Sequence, residues 1–177
     1  PTFWTIDANV YSALNNNYRL MYNSQLYFYH DALSDNAYSS SGDYNLIASG
    51  HATSGTAKFQ GDWAYYYSTI KSCNIFLEKI GKNTTLAPDV VERLKAETRF
   101  IRAFEHFNLA KWFGDVPLVD HDITPEEAKQ IVRSPKATVI KFVTDELEAI
   151  IPTLPSKDQL PAAENGRITK GAALALE

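Results

Sequence analysis

The sequence predicts an all-α fold, an array of helix hairpins carrying long ordered loops. Two observations predict it. Five stretches repeat apolar residues at intervals of three and four, the period of one helix face. Nowhere does a strict alternation persist between hairpin turns, so no strand is expected. With 177 residues, 45% of them hydrophobic and 21% charged, the chain is long enough to bury a core.

The first helix is expected over 7–22, where Val10, Ala13, Leu14, Tyr18 and Met21 share a face and Asp7 stands where an N-cap belongs. The second spans 61–80. Trp63, Tyr66, Tyr67, Ile70, Cys73, Leu77 and Ile80 make its wide apolar face, and Gly81 supplies the stop. The third spans 88–113 and opens on Pro88, which suits a first helical turn. Leu94, Phe100, Ile101, Phe104, Phe107 and Ala110 cover more than one of its faces, so it packs on two sides and takes Phe104 into the core. The fourth spans 135–151, with Val139, Val143, Leu147 and Ile150 inward, and Pro152 ends it. The fifth opens at the N-cap Thr169 and is still running at Glu177.

The second and third helices form an antiparallel pair joined through 82–87, and the fourth and fifth suit another. Ala96, Phe100 and Ala103 match the small–aromatic–small spacing of the second helix of a tetratricopeptide repeat, in which small residues admit a neighbouring helix and the Phe fills the gap. No regular repeat period accompanies it. The expected architecture is an irregular, tetratricopeptide-like alpha-alpha superhelix. Residues 24–58, rich in Ser, Asn, Asp, Gly and Tyr, read as non-helical and too long for an idle loop. Residues 152–168 read as an exposed connection.

Composition excludes several functions. The net charge is −4, with no basic block longer than two residues, which argues against nucleic-acid binding. No apolar run approaches the length of a membrane-spanning helix. The single cysteine, Cys73, cannot form an internal disulfide and reads as a buried core residue. His30, His51, His106 and His121 lack metal-ligand spacing, so neither a metal nor another cofactor is expected, and His106 reads as structural. No nucleophile elbow, phosphate-cradling loop or kinase signature occurs, and the carboxylates cluster as on solvated helix faces. No catalytic residue is assigned, and the chain is not expected to be an enzyme.

Binding chemistry is expected in the long polar stretch. Tyr38 and Tyr44 stand there beside Asp43 and Asn45. A flat amphipathic ring takes the C–H face of a sugar, while carboxylates and amides take its hydroxyls. These four residues are the candidate ligand contacts. The alternative is that the tyrosines pin the loop to the helices.

A series of blocks then carries a resemblance. Phe3-Trp4, Asp7-Ala8 and Ala13-Leu14-Asn15 open it, and Cys73-Asn74-Ile75-Phe76-Leu77 follows. Next come Ala96-Glu97-Thr98-Arg99-Phe100-Ile101-Arg102-Ala103-Phe104-Glu105-His106-Phe107 and Trp112-Phe113-Gly114-Asp115-Val116-Pro117. Asp145-Glu146-Leu147 and Gly166-Arg167-Ile168-Thr169 close it. In order and spacing this series resembles the SusD/RagB family. The resemblance implies a lipid-anchored protein at the outer face of an outer membrane. It implies binding of a glycan or other nutrient without cleavage, and delivery to a SusC-like TonB-dependent transporter. Because members of the family are longer, residues 1–177 are expected to be one N-terminal helical domain, truncated at its C-terminal end, with the lipid anchor outside this chain. The signature blocks read as scaffold: Arg99 and Arg102 are expected to pair with Glu105 and Glu97 along their own helix, and Asp115 to cap the next turn. The competing reading is a tetratricopeptide-type protein-interaction module.

Overall fold

The computed structural model describes residues 2–22, 30–40 and 42–177. It contains the helices α1 (Asp7–Met21), α2 (Gly42–Ala48), α3 (Ala57–Lys79), α4 (Pro88–Phe113), α5 (Pro125–Ala128), α6 (Lys136–Ile150) and α7 (Lys170–Leu176). Short 3₁₀ turns fill several connections. The described residues form no strand, only an isolated antiparallel bridge between Val116 and Ser134.

The wide apolar arc of α4 determines the architecture. One flank packs on α3 and the other on α6, and α1 lies across the α3–α4 pair. Ala96, Phe100 and Ala103 form a cluster with Val143, Leu147 and Ile150 of α6 and Ala173 of α7. Tyr66 and Ile70 of α3 meet Leu109 and Ala110 of α4 and Val139 of α6 in a second cluster. Val10 and Leu14 of α1 close a third over Phe76, Ile80 and Leu94. The expected hairpin array is the observed one. Cys73 is wholly buried, and burial pushes its thiol pKa up. Phe104 is only partly buried, stacking on Phe100 with centroids 6.4 Å apart. It packs against the edge of the first cluster rather than inside it.

Several local expectations are corrected. Asp7 is the first residue of α1, not its N-cap; the extended Ile6 holds that place without a side-chain bond. The Asp7 carboxylate instead accepts from Asn83 Nδ2 at 2.9 Å and from the Thr85 hydroxyl, which ties α1 to the α3–α4 turn. The polar stretch read as non-helical contains α2 and a 3₁₀ turn at His30–Leu33, while residues 23–29 and 41 lie outside the described residues. α3 begins at Ala57, before the expected 61, because Asp43 of α2 accepts the Lys58 amide at 2.9 Å. Such a cap comes from a neighbour in space and leaves no local sequence signal.

Arg99 and Arg102 do not pair along α4. Both reach Glu146 of α6, Arg99 through Nη2 at 2.8 Å and Arg102 through Nη2 at 2.8 Å. A half-enclosed carboxylate held by the two-pronged Arg99 and a single bond from Arg102 gains more than exposed pairs along a helix, which contribute a few tenths of a kcal/mol. Glu97 is wholly buried and pairs with Tyr18 and Arg167 instead. The 152–168 connection is also more than an exposed link, since Leu154 and Ile168 are buried in the α4–α6–α7 cluster.

After α4 the chain turns at Gly114, whose φ of 71° is left-handed and strained for any residue with a Cβ. Asp115 Oδ1 accepts the Lys136 amide at 2.8 Å, capping α6 rather than the adjacent turn.

Candidate ligand-binding clefts around Trp63

Trp63 lies in the second turn of α3, and the α3–α4–α6 packing leaves it half-buried. Its indole contacts Tyr67 with centroids 5.0 Å apart and meets Phe113 edge-on at 5.1 Å. The Arg133 guanidinium lies 5.4 Å from its ring centroid. Open space flanks it on both sides. A cleft of about 440 Å³ is lined by Trp63, Tyr67, Lys71, His121, Ile123 and Ile131 among others. A second groove of about 350 Å³ is lined by Trp63, Phe59, Gln60, Trp112, Phe113 and Arg133, with Ser54 at its edge. Trp63 is thus shared by two aromatic surfaces with polar rims.

The wall of the larger cleft is the chain that follows α4. Buried side chains hold this segment by its main-chain atoms. Tyr67 Oη donates to the Pro117 carbonyl at 2.8 Å. Asn74 Nδ2 donates to the carbonyls of Val119 at 3.3 Å and His121 at 2.8 Å. Arg102 Nη1 donates to the Asp120 carbonyl and, at 2.9 Å, to Asn74 Oδ1. His106 Nε2 accepts the Val119 amide at 3.3 Å, while Nδ1 donates to the Arg102 carbonyl at 2.9 Å. That pair of bonds requires the neutral ring, and burial pushes the His106 pKa down to about 4. Asp122 N, at the end of the segment, donates to Glu78 Oε1 at 3.0 Å.

The rim is charged. His121 Nδ1 stands 2.8 Å from Asp120 Oδ1, which raises the imidazole pKa, and Nε2 stands 3.7 Å from Glu127. Glu127 is itself engaged in a capping box with Thr124 at the start of α5. Lys71 makes no ion pair among the described residues.

Neither cleft is lined by any of the four sequence-derived residues. Tyr38 is 86% exposed, and Tyr44 is buried at 5%. Asp43 caps α3 through Lys58 N, and Asn45 Nδ2 donates to the Ser39 carbonyl at 2.8 Å. Lys58 links this group to the groove: its ammonium pairs with Asp62 and lies 5.2 Å from the Tyr44 ring and 5.8 Å from that of Trp112. Tyr44 and Asp43 therefore stand behind the groove, and Tyr38 is presented to solvent. In the sequence Trp63 and Tyr67 read as part of a helix's apolar face, and Trp112 and Phe113 as part of a scaffold block, so none of the four is put forward there as a ligand contact. Helical period marks a face but does not tell a packed face from one lining a cleft.

No group of His, Cys, Asp and Glu among the described residues could hold a metal ion, and none of the described helices is long and apolar enough to cross a membrane.

A family model described as SusD-like, starch-binding associating with outer membrane, matches residues 4–176. The chain belongs to the SusD-like family. Among solved structures, this SusD-like chain is 34% identical to a SusD-like carbohydrate binding protein from Bacteroides fragilis, with a TM-score of 0.89. That match covers 99% of this chain and 37% of the other. A second SusD-like protein from Bacteroides fragilis is 28% identical, with a TM-score of 0.82, over 99% of this chain and 34% of its own. A laminarin binding SusD-like protein, 22% identical, shares the fold with a TM-score of 0.82, over 96% of this chain and 38% of its own. No curated protein matches the chain. The SusD-like chain therefore spans well under half the length of these solved relatives.

Proposed function

We propose that this chain is the N-terminal helical domain of a cell-surface glycan-binding protein, which binds its ligand without cleaving it and delivers it to a SusC-like TonB-dependent transporter. Membership of a family described as starch-binding and associated with the outer membrane supports the class of ligand and the location. Attachment is proposed to be through a lipid anchor. The 34%-identical relative is a carbohydrate binding protein, which favours the same ligand class here.

The observation that carries the reading is Trp63 standing between two aromatic clefts with polar rims. Aromatic faces take the apolar side of a sugar ring, and Arg133, Gln60, Lys71 and Thr124 are placed at the rims to take hydroxyls. Among the described residues, Asp122 is the carboxylate that lines the larger cleft, with Asp120 and Glu127 paired to His121 at its rim. Glycoside hydrolysis generally uses two across the bond, so this cleft suits holding rather than cutting. Tyr38, 86% exposed, is proposed as a further ring contact for the ligand. Asp43, Tyr44 and Asn45 complete the ligand site as the groove's supporting wall. The tetratricopeptide adaptor reading is less well supported: it needs open polar helix faces, whereas α4 is covered on both flanks.

Affinity electrophoresis in gels carrying neutral polysaccharides tests the reading. The wild-type chain is expected to be retarded by at least one polysaccharide. Retardation should fall away in Trp63→Ala and weaken in the rim variants Lys71→Ala and Arg133→Ala, whose exposed side chains contribute little to folding. Unchanged retardation in all three variants would remove the clefts from consideration.

A further inference from the structure

A second pocket lies on the other side of α3, in the groove between α3 and α1. It has a volume of about 410 Å³, within the range of small-molecule sites. Phe3 and Trp4 form one wall, Asn16 and Asn17 of α1 a second, and Ser72 and Phe76 of α3 the floor. The aromatic wall is fixed. Trp4 meets Phe3 edge-on at 5.2 Å and Phe76 edge-on at 5.8 Å, and Asn9 Nδ2 holds the turn by donating to the Phe3 carbonyl at 3.1 Å.

Opposite it stands a neutral hydrogen-bonding network. Ser72 Oγ donates to Asn17 Oδ1 at 2.6 Å, and Asn16 Nδ2 reaches Ser72 Oγ at a long 3.5 Å. Asn17 is wholly buried, yet its Nδ2 has no partner among the described residues. A buried amide left without an acceptor costs stability, so this side chain is better matched to a filled pocket than to an empty one. Among the described residues no charged side chain lines the space; the exposed Arg19 donates to Asn16 Oδ1 at 2.9 Å. An anionic ligand would lack a cation here and a cationic one would lack a carboxylate. A ring with one apolar face and several hydroxyls meets both walls.

We propose that this pocket is a second saccharide subsite. It takes one neutral hexopyranose of a glycan, with Phe3 and Trp4 as the apolar wall and Asn16, Asn17 and Ser72 as hydroxyl partners. The inference shares its ligand class with the proposed function but not its site, so the two are separately testable.

The test follows the side-chain N–H resonances of the isotope-labelled chain during titration with maltohexaose, laminarihexaose and mannohexaose. The Trp4 indole and the Asn17 amide are expected to shift saturably with at least one hexamer, and Ser72→Ala to weaken that response about tenfold. Asn16→Ala, at the half-exposed rim, provides a second variant should Ser72→Ala disturb the fold. If Trp63 shifts while Trp4 and Asn17 do not, the subsite falls and the Trp63 clefts stand. If Trp4 and Asn17 shift while Trp63 does not, the reverse holds. No shift at Trp4 and Asn17 with any of the three hexamers overturns the subsite.

Discussion

Two adjacent residues of α4 show how far burial sets protonation in this domain. His106 and Glu105 are 0% and 1% exposed. His106 is neutral and fully bonded. Among the described residues Glu105 has a long 3.4 Å contact from Asn108 Nδ2 and no partner for Oε1, and burial pushes its pKa up to about 8. The two act in opposite directions on stability. A carboxyl whose pKa rises from 4.5 to about 8 on folding contributes stability that is complete below pH 4.5 and is lost as pH climbs to about 8. A histidine whose pKa falls from 6.5 to about 4 contributes stability that is present above pH 6.5 and is lost as pH falls towards 4. The prediction follows for Glu105→Gln, which keeps the shape and removes the titration. At pH 8.5 the variant should be more stable than the wild type by at least about 1 kcal/mol, and the gap should close at pH 5. Denaturant midpoints at the two pH values measure this; parallel curves for the two proteins would show that Glu105 ionises freely in the fold.

At the scale of elements, what was legible in the sequence was whatever depends on period. The long helices, their apolar faces, the Thr169 cap, which accepts the Ala172 amide at 3.4 Å, and the burial of Cys73 all follow from local spacing. What was not legible depends on which element comes to lie against which. α2 was hidden because its residues favour turns, and it is held by Asp43 and Tyr44 packing on the start of α3. The partners of Arg99 and Arg102 were sought on their own helix, but they lie on α6, a neighbour that spacing cannot reveal. The clefts were hidden for a related reason: Trp63 and Tyr67 have the period of a core face, and only the course of the segment after α4 leaves them partly uncovered. Asp115 belongs to the same scale. It sits just past the end of one helix and caps the start of another, so Asp115→Ala should cost about 1 kcal/mol in a denaturant melt. A cost near zero would mean that water satisfies the Lys136 amide equally well.

Across the whole molecule, one buried carboxylate joins segments far apart in the chain. Glu97 of α4 accepts from Tyr18 Oη of α1 at 2.7 Å and from Arg167 Nη1 at 3.0 Å. Tyr18 Oη in turn accepts the Ile168 amide at 2.9 Å, and Glu164 holds Arg93 in a two-pronged pair at 2.7 and 2.8 Å. The connection between α6 and α7 is thereby bound to the opposite side of the bundle. Removing one partner of a buried pair strands the other, so Glu97→Ala should cost about 3–5 kcal/mol. Amide hydrogen exchange at Arg167 and Ile168 should rise with it; exchange unchanged at those amides would show that apolar packing alone holds the connection. The segment after α4 is secured differently. Tyr67, Asn74, Arg102 and His106 all grip it by main-chain carbonyls and an amide between Pro117 and His121. Its course is therefore written in the helices behind it, together with the buried Val116 and Val119 of its own. His121 and Asp122 line the larger cleft with side chains that the grip on the backbone does not use, so that part of the lining is free to be rewritten for a different ligand without the domain having to refold around the change.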